Sequence, residues 1–101
     1  MNDSGLTSEH DILDSVASRM KLLAEPMRLR LLTLLREKER CVKELVEHTG
    51  AGQANISKHL SLLHMKGVIS RRKEGLFVYY YVSDHSIFDA VECVRATLEK
   101  K

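Results

Sequence analysis

The stretch GAGQANISKHLSLLHMKGVISRRKEGLFVYYYV, residues 50–82, decides the fold of this 101-residue chain. Its first half has apolar residues at positions i, i+4 and i+7 of one helix face, namely Ile56, Leu60 and Leu63. The opposite side of the helix carries Ala54, Lys58 and Ser61, with Asn55 and Ser57 on its flanks, all of them small, hydrogen-bonding or basic. The pattern predicts a helix with one buried side and one polar side. Such a polar side fits a DNA major groove, where base edges present hydrogen-bonding groups.

The second half of the stretch predicts a basic hairpin. Residues 68–73 and 77–82 are the strand segments, and the second is rich in aromatic and β-branched residues. The first strand ends in three cations that would hold DNA phosphates: Arg71, Arg72 and Lys73. A helix followed by such a hairpin predicts a DNA-binding winged helix-turn-helix.

Three further helices are expected before this stretch. Ser8 is typical of a helix start, and Pro26 suits the first turn of a second helix, where its missing N–H would have no partner. A short third helix is expected over residues 42–49, with Gly50 as its left-handed C-cap. The short turn at 50–52 makes the third and fourth helices cross steeply, which is the helix-turn-helix motif.

A last helix is predicted over about residues 84–99, with Ser83 as its cap. Its apolar stripe is Ile87, Val91, Val94 and Leu98. The stripe would pack either on the chain's own core or, with the first helix, on a symmetry mate. DNA reading favours the second alternative, because a twofold dimer places two helices about 34 Å apart in successive major grooves. We therefore expect an α+β winged helix-turn-helix in the order α-α-α-α-β-β-α, as a symmetric homodimer.

Length and composition indicate one globular domain. Hydrophobic residues make up 44% of the chain and charged residues 30%, which is ordinary for a soluble protein. Residues 1–9 are expected to form a flexible arm, and residues 10–101 a single winged-helix domain with its wing over about 68–82. The sequence has no apolar run near the roughly 20 residues of a membrane span and no signal peptide. A cytoplasmic protein without a membrane partner is expected.

The charge is unevenly distributed. The net charge is only +2, but residues 53–75 contain five basic residues and one acidic residue, so the rest of the chain is net negative. This asymmetry predicts a basic surface on one part of the fold. The sequence shows neither a Gly-rich phosphate loop nor the spacing of a Ser-His-Asp triad, so no enzymatic activity is expected.

Residues 10–98 resemble the ArsR/SmtB family of bacterial winged-helix repressors. The resemblance is carried by QANISKHLSLLHMKGVISRRKEGLFVYYYV at 53–82, LLAEPMRLRLLTLL at 22–35 and RCVKELVEHTG at 40–50. It implies a homodimer that occupies double-stranded operator DNA and leaves it when an inducer binds, often a thiophilic metal, a metalloid or an oxidant. It also implies that the fourth helix contacts bases or phosphates through Gln53, Asn55, Ser57, Lys58 and His59, beside the wing cations Arg71, Arg72 and Lys73 that their charge already indicates. Gly52 stands where the family usually has a capping Ser or Thr.

The chain departs from the metal sites of that family. The zinc-type pattern on the last helix corresponds here to Asp84, Ser86, Thr97 and Lys100. Only one of these four is a ligand, and zinc requires four N, S or O donors, so zinc is not expected there. The thiolate pattern of the third helix resembles Cys-Val-Cys-Asp-Leu, whereas residues 41–45 read Cys-Val-Lys-Glu-Leu. One cysteine of that site remains.

Cys41 and Cys93 leave three roles open. They would bind a thiophilic metal together, with His10, His48 or a carboxylate, if the fold brought them close. Alternatively, Cys41 would sense an oxidant or persulfide, because a helix start and neighbouring cations stabilise the reactive thiolate. The third role concerns Cys93 alone, which would be a small buried hydrophobe or, if the last helices pair antiparallel across a dyad, would approach its own symmetry mate. We therefore expect a transcriptional repressor released by an inducer that cysteine thiols sense. The alternative is a winged-helix protein-interaction module that has lost DNA binding.

Overall fold

The computed structural model describes residues 8–100, and the part of the predicted flexible arm at 1–7 lies outside them. The described residues form five helices and three strands: α1 (Glu9–Leu23), α2 (Pro26–Glu37), β1 (Arg40–Cys41), α3 (Val42–Thr49), α4 (Gln53–Met65), β2 (Ile69–Glu74), β3 (Phe77–Val82) and α5 (Ile87–Glu99). The predicted winged helix-turn-helix is confirmed. The structure adds one short strand, β1, that the sequence did not indicate.

The helix starts have the expected chemistry. The Ser8 hydroxyl accepts the N–H of Asp11 at 3.1 Å, which caps α1. Pro26 is the first residue of α2, and the Glu25 carboxylate before it accepts the N–H of Arg28 at 2.8 Å. Both bonds satisfy helix N–H groups that have no partner within the helix.

The helix-turn-helix is formed by α3, the three-residue turn and α4. Gly50 has a φ of 74° and ends α3 in the left-handed conformation, which costs a glycine nothing. Gly52 is the extended N-cap of α4 and offers no side-chain oxygen. Because α4 starts directly after this turn, its apolar side faces the core. The three predicted residues of that side are fully buried: Ile56, Leu60 and Leu63.

The sheet is antiparallel with the strand order β1-β3-β2. In the hairpin Ile69 pairs with Val82 and Arg71 pairs with Tyr80, whereas Cys41 of β1 pairs with Tyr79 from the other side. Ile69 and Val82 are buried, so this end of the hairpin closes the core. The far end of this hairpin, the tip of the wing, extends into solvent.

The last helix begins at Ile87, three residues later than predicted, with Ser86 as its N-cap. Asp84 was expected inside the helix, but its carboxylate accepts the N–H of Ser86 at 3.1 Å, and this local turn occupies the predicted first turn. Ser83 was expected as the cap, but its hydroxyl donates to the carbonyl of Gly67 at 3.2 Å. Both predictions were wrong, because bonds of this loop displaced the helix start.

The apolar stripe of α5 is only partly covered. Ile87 and Phe88 are buried against the core, whereas Val94 and Leu98 are exposed, Leu98 by 80%. The first helix has a comparable open face of large apolar side chains: Ile12, Leu13, Val16 and Met20. Val91 of α5, between Phe88 and Val94, is half-buried, so packing on the chain's own core covers only the N-terminal half of the stripe. No helix within residues 8–100 is long and apolar enough to cross a membrane.

Candidate nucleic-acid interface

The polar side of α4 is open to solvent from its first residue. Gln53, Asn55 and Lys58 are exposed and Ser57 is half-buried. Within residues 8–100, Lys58 forms no salt bridge. The first two turns of α4 thus present amide, hydroxyl and ammonium groups on a helix whose other side is fixed in the core. These groups match the donors and acceptors of base edges and phosphates.

His59 is the one predicted contact on α4 that faces inward. Its side chain is 13% exposed. Its Nδ1 lies 3.3 Å from Nη1 of Arg28, and its Nε2 lies 4.0 Å from a carboxylate oxygen of Glu25. The imidazole is therefore occupied by groups at the start of α2.

The three cations of the wing do not share one side of the hairpin. Side chains alternate along a strand, so Arg71 and Lys73 lie on the side opposite to Arg72. Arg71 and Lys73 are exposed and form no salt bridge within residues 8–100. They are the wing cations with charge available to a partner.

Arg72 is held inside the protein's own charge network. Its Nε lies 2.6 Å from a carboxylate oxygen of Glu39, and its Nη1 contacts the carboxylate of Glu74. The guanidinium also lies over the ring of Tyr79, 5.1 Å from the centroid. The bonds to Glu74 and then to Glu39 raise the pKa of Arg72 above its ordinary value. Two carboxylates on one guanidinium leave no net positive charge at this point.

Cys41 lies between the sheet and the helix-turn-helix. It is 6% exposed and is the N-cap of α3. Its backbone N–H donates to the Glu44 carboxylate at 2.9 Å, and this bond is the main reason why the pKa of Glu44 lies below its ordinary value. The neighbouring cation Arg40 is buried, and its guanidinium bonds Glu37 at 2.7 Å. The charge of Arg40 is thus already paired.

The structure does not gather the predicted sulfur and imidazole ligands into a metal site. Cys93 is exposed on α5, and both cysteines are free thiols. His48 has its Nε2 3.0 Å from Nη1 of Arg40, so this nitrogen is engaged. Within residues 8–100, no three His, Cys, Asp or Glu side chains are grouped so that they could hold a metal ion.

Three residues that matter to this surface were missed in the sequence. Glu39 neutralises Arg72, and Glu25 and Arg28 hold His59. Their partners are 31 to 34 positions away along the chain. The only signal in the sequence was the opposite charge itself, which does not specify a partner.

Known proteins resemble this chain in sequence and in fold. Residues 25–71 match the model of a family described as bacterial regulatory proteins of the ArsR family. The HTH-type transcriptional repressor SmtB of Mycobacterium tuberculosis is 36% identical over 77 residues, which are 76% of this chain and 57% of that repressor. A probable mercury resistance operon repressor of Streptomyces lividans is 39% identical over 82 residues, 81% of this chain and 66% of that protein. The chain thus spans less than two thirds of each of these relatives.

A solved structure matches nearly the whole fold. The homodimeric winged helix-turn-helix DNA-binding domain of Mb0332 from Mycobacterium bovis, determined by NMR, is 28% identical. The match has a TM-score of 0.78 and covers 97% of this chain and 92% of that one. The similarity extends to both terminal helices as well as the helix-turn-helix.

Proposed function

Because this chain belongs to the ArsR family of bacterial winged helix-turn-helix regulators, we propose that it represses transcription by binding double-stranded operator DNA as a homodimer. The observation that carries the proposal is the open polar side of α4 opposite its fully buried apolar side. A helix fixed in this way can enter a major groove without losing its packing.

The proposal assigns separate roles to the exposed groups. Gln53, Asn55 and Ser57 read base edges, because amides and hydroxyls both donate and accept hydrogen bonds. Lys58 binds phosphate beside the major groove, and Arg71 and Lys73 bind phosphate from the wing. His59 and Arg72 hold this surface in shape, and their contacts with Arg28 and Glu25 and with Glu39 and Glu74 support this role.

Dimerisation is proposed through α1 and α5. Their large apolar side chains are exposed in the single chain, and a cleft between the two helices is lined by Met20, Leu23, Val91, Val94 and Leu98. A second copy related by a twofold axis would cover this face. The homodimeric state of the Mb0332 domain supports dimerisation.

Release from DNA is proposed to start at a cysteine thiol. Cys93 is exposed, so an oxidant or a thiophilic metal ion reaches it directly. Cys41 is buried at the start of α3, so an added oxygen or a bound metal would disturb the first helix of the helix-turn-helix. The name of the Streptomyces relative, a mercury resistance operon repressor, supports including a metal ion among the inducers. Within residues 8–100 the two cysteines belong to no preformed three-ligand site, which favours the oxidant.

The first experiment tests DNA binding. The purified protein selects duplexes from a randomised pool, and its affinity for the selected duplex is compared with that for a scrambled one. We expect a preference for the selected duplex that Asn55→Ala reduces and Lys58→Ala does not, because a phosphate contact carries no sequence information. Failure of the wild-type protein to enrich any sequence would instead favour a protein-interaction module.

The second experiment tests the thiols. Binding to the selected duplex is measured with hydrogen peroxide, a persulfide donor or Hg²⁺, for wild type, Cys41→Ser and Cys93→Ser. We expect at least one of these agents to release the wild-type protein and at least one serine variant to resist that release. Equal release of wild type and both variants would exclude thiol sensing.

A further inference from the structure

The guanidinium of Arg28 joins three helices beneath the polar side of α4. Its Nε donates to the carbonyl of Leu22, in the last turn of α1, at 2.6 Å. Its Nη1 lies 3.3 Å from Nδ1 of His59 in the middle of α4. Arg28 itself belongs to the first turn of α2. One side chain therefore connects the end of α1 and the start of α2 to α4, the recognition helix of the proposed DNA complex.

The hydrogen-bonding chemistry fixes the imidazole of His59. An arginine side chain has donors and no acceptor, so Nδ1 of His59 must accept and the ring proton must be on Nε2. Nε2 faces the Glu25 carboxylate at 4.0 Å, and the same carboxylate accepts the N–H of Arg28 at 2.8 Å. Since His59 is 13% exposed, neither ring nitrogen is directed freely to solvent.

We propose that these four residues, Leu22, Glu25, Arg28 and His59, form a latch that sets the angle between α1 and α4 and thereby the spacing of the two recognition helices. The inference rests on the proposed function, in which α1 belongs to the dimer interface and α4 reads DNA. His59 is then a positioning residue and makes no contact with the nucleic acid.

The geometry of a twofold dimer amplifies a small error in this angle. Two recognition helices about 34 Å apart each lie about 17 Å from the dyad. A tilt of about 10° between α1 and α4 would shift each α4 by about 3 Å, close to the rise of one base pair. Direct contacts to bases would be lost, whereas long, flexible cations would still reach phosphates. Loss of the latch should therefore weaken sequence reading more than general attraction to DNA.

The test compares Arg28→Ala, His59→Ala, the double variant and His59→Asn, because the Asn carbonyl oxygen can accept from Arg28 where Nδ1 did. Each protein is first shown to be folded by circular dichroism and by its urea midpoint. Its affinity is then measured for the duplex that wild type selects and for a scrambled duplex. Lys58→Ala is the matched control on the same helix, since it removes a phosphate contact.

For the selected duplex we expect each alanine variant to lose about tenfold in affinity, the size of one charge-assisted hydrogen bond. The double variant should lose no more than either single one, because both changes break the same link. Affinity for the scrambled duplex should stay within about twofold, and His59→Asn should recover most of the loss. Renewed selection with His59→Ala should give weaker preference at every position of the half-site.

Three results would overturn the latch. Equal losses on both duplexes would show a phosphate contact, and relaxed preference at a single base pair would show a base contact. Additive losses in the double variant would show that Arg28 and His59 act separately. If wild type selected no sequence at all, the proposed function itself would be refuted, and the latch with it. If wild type selected a sequence and the variants gave one of the three results above, the latch alone would be refuted. The two failures are therefore distinguishable.

Discussion

Replacing Arg72 by glutamine should leave the salt dependence of DNA binding almost unchanged, although Arg72 lies in the most basic run of the chain. Its guanidinium is bound by the carboxylates of Glu39 and Glu74. A cation already neutralised within the protein releases few counterions when DNA binds. The salt dependence should therefore count only the cations that the fold leaves available.

The magnitude follows from the number of such cations. Lys58, Arg71 and Lys73 give three ion pairs per subunit and six per dimer, so the slope of log Kobs against log[salt] should be about −5. Counting Arg72 as well would give eight pairs and a slope of about −7. Lys73→Gln removes two pairs from the dimer and should bring the slope to about −4.

The assay is fluorescence anisotropy with a labelled duplex, between about 50 and about 200 mM NaCl, a range over which such contacts change affinity by orders of magnitude. Arg72→Gln is compared with Lys73→Gln, its matched neighbour on the same strand. A third variant, with Glu39→Gln and Glu74→Gln combined, releases Arg72 and should steepen the slope by about 2 if the freed guanidinium reaches a phosphate.

The comparison of Arg72→Gln with Lys73→Gln decides whether Arg72 contributes to the salt dependence. A slope that Arg72→Gln reduces as much as Lys73→Gln would show that the carboxylates give up Arg72 when DNA arrives. The charge partition described above would then be wrong. A wild-type slope near −2 would refute the whole assignment of cations.

Other predictions concern stability and can be measured by urea unfolding. Leu60→Ala should lower the free energy of unfolding by about 2–5 kcal/mol, because Leu60 is fully buried on the inner side of α4. Leu76→Ala, at a wing-tip residue that is 96% exposed, should change stability by less than about 0.5 kcal/mol, and equal costs would contradict the burial pattern. Gly50→Ala should cost about 1–2 kcal/mol, since φ is 74° there, and a neutral result would mean that the turn adopts another conformation. The pKa of Glu44 is lower in the folded protein than in the unfolded chain, so the ionised carboxylate stabilises the fold at pH values above the unfolded pKa. This stabilisation is lost as the pH falls through the folded pKa. Glu44→Gln should thus be less stable at neutral pH and lose less stability on acidification, and an unchanged acid profile would contradict the bond to Cys41.

Much of the fold could be predicted because its signals are local. The apolar spacing of α4, the proline that opens α2 and the β-branched and aromatic run of β3 each act within a few residues. The strand β1 has two residues and no periodicity. It forms because it pairs with backbone groups of β3, about 40 positions later in the chain. Likewise, the start of α5 depends on the Val68 carbonyl, which accepts the N–H groups of both Ser83 and Asp84.

The candidate site likewise has a part that local sequence predicts and a part that depends on distant contacts. The exposed side of α4 follows from the helix period, since Ile56, Leu60 and Leu63 fix which residues face outward. The environments of His59 and Arg72 could not be predicted in this way, because their partners approach only after the helices and the sheet have packed. Charge identified Arg72 as a functional candidate and the family resemblance identified His59, but only tertiary contacts distinguish an available group from an engaged one.

The position of β2 at the margin of the sheet has a consequence for solubility. One flank of this strand pairs with β3, and the other leaves backbone N–H and C=O groups that a foreign strand could join. Four consecutive charged side chains, residues 71–74, make such addition unfavourable, because an added strand would have to pack beside exposed charges, including the cations Arg71 and Lys73. Neutralising this strand to test the proposed operator binding would therefore also remove a barrier to self-association, and light scattering should accompany every binding measurement on such variants.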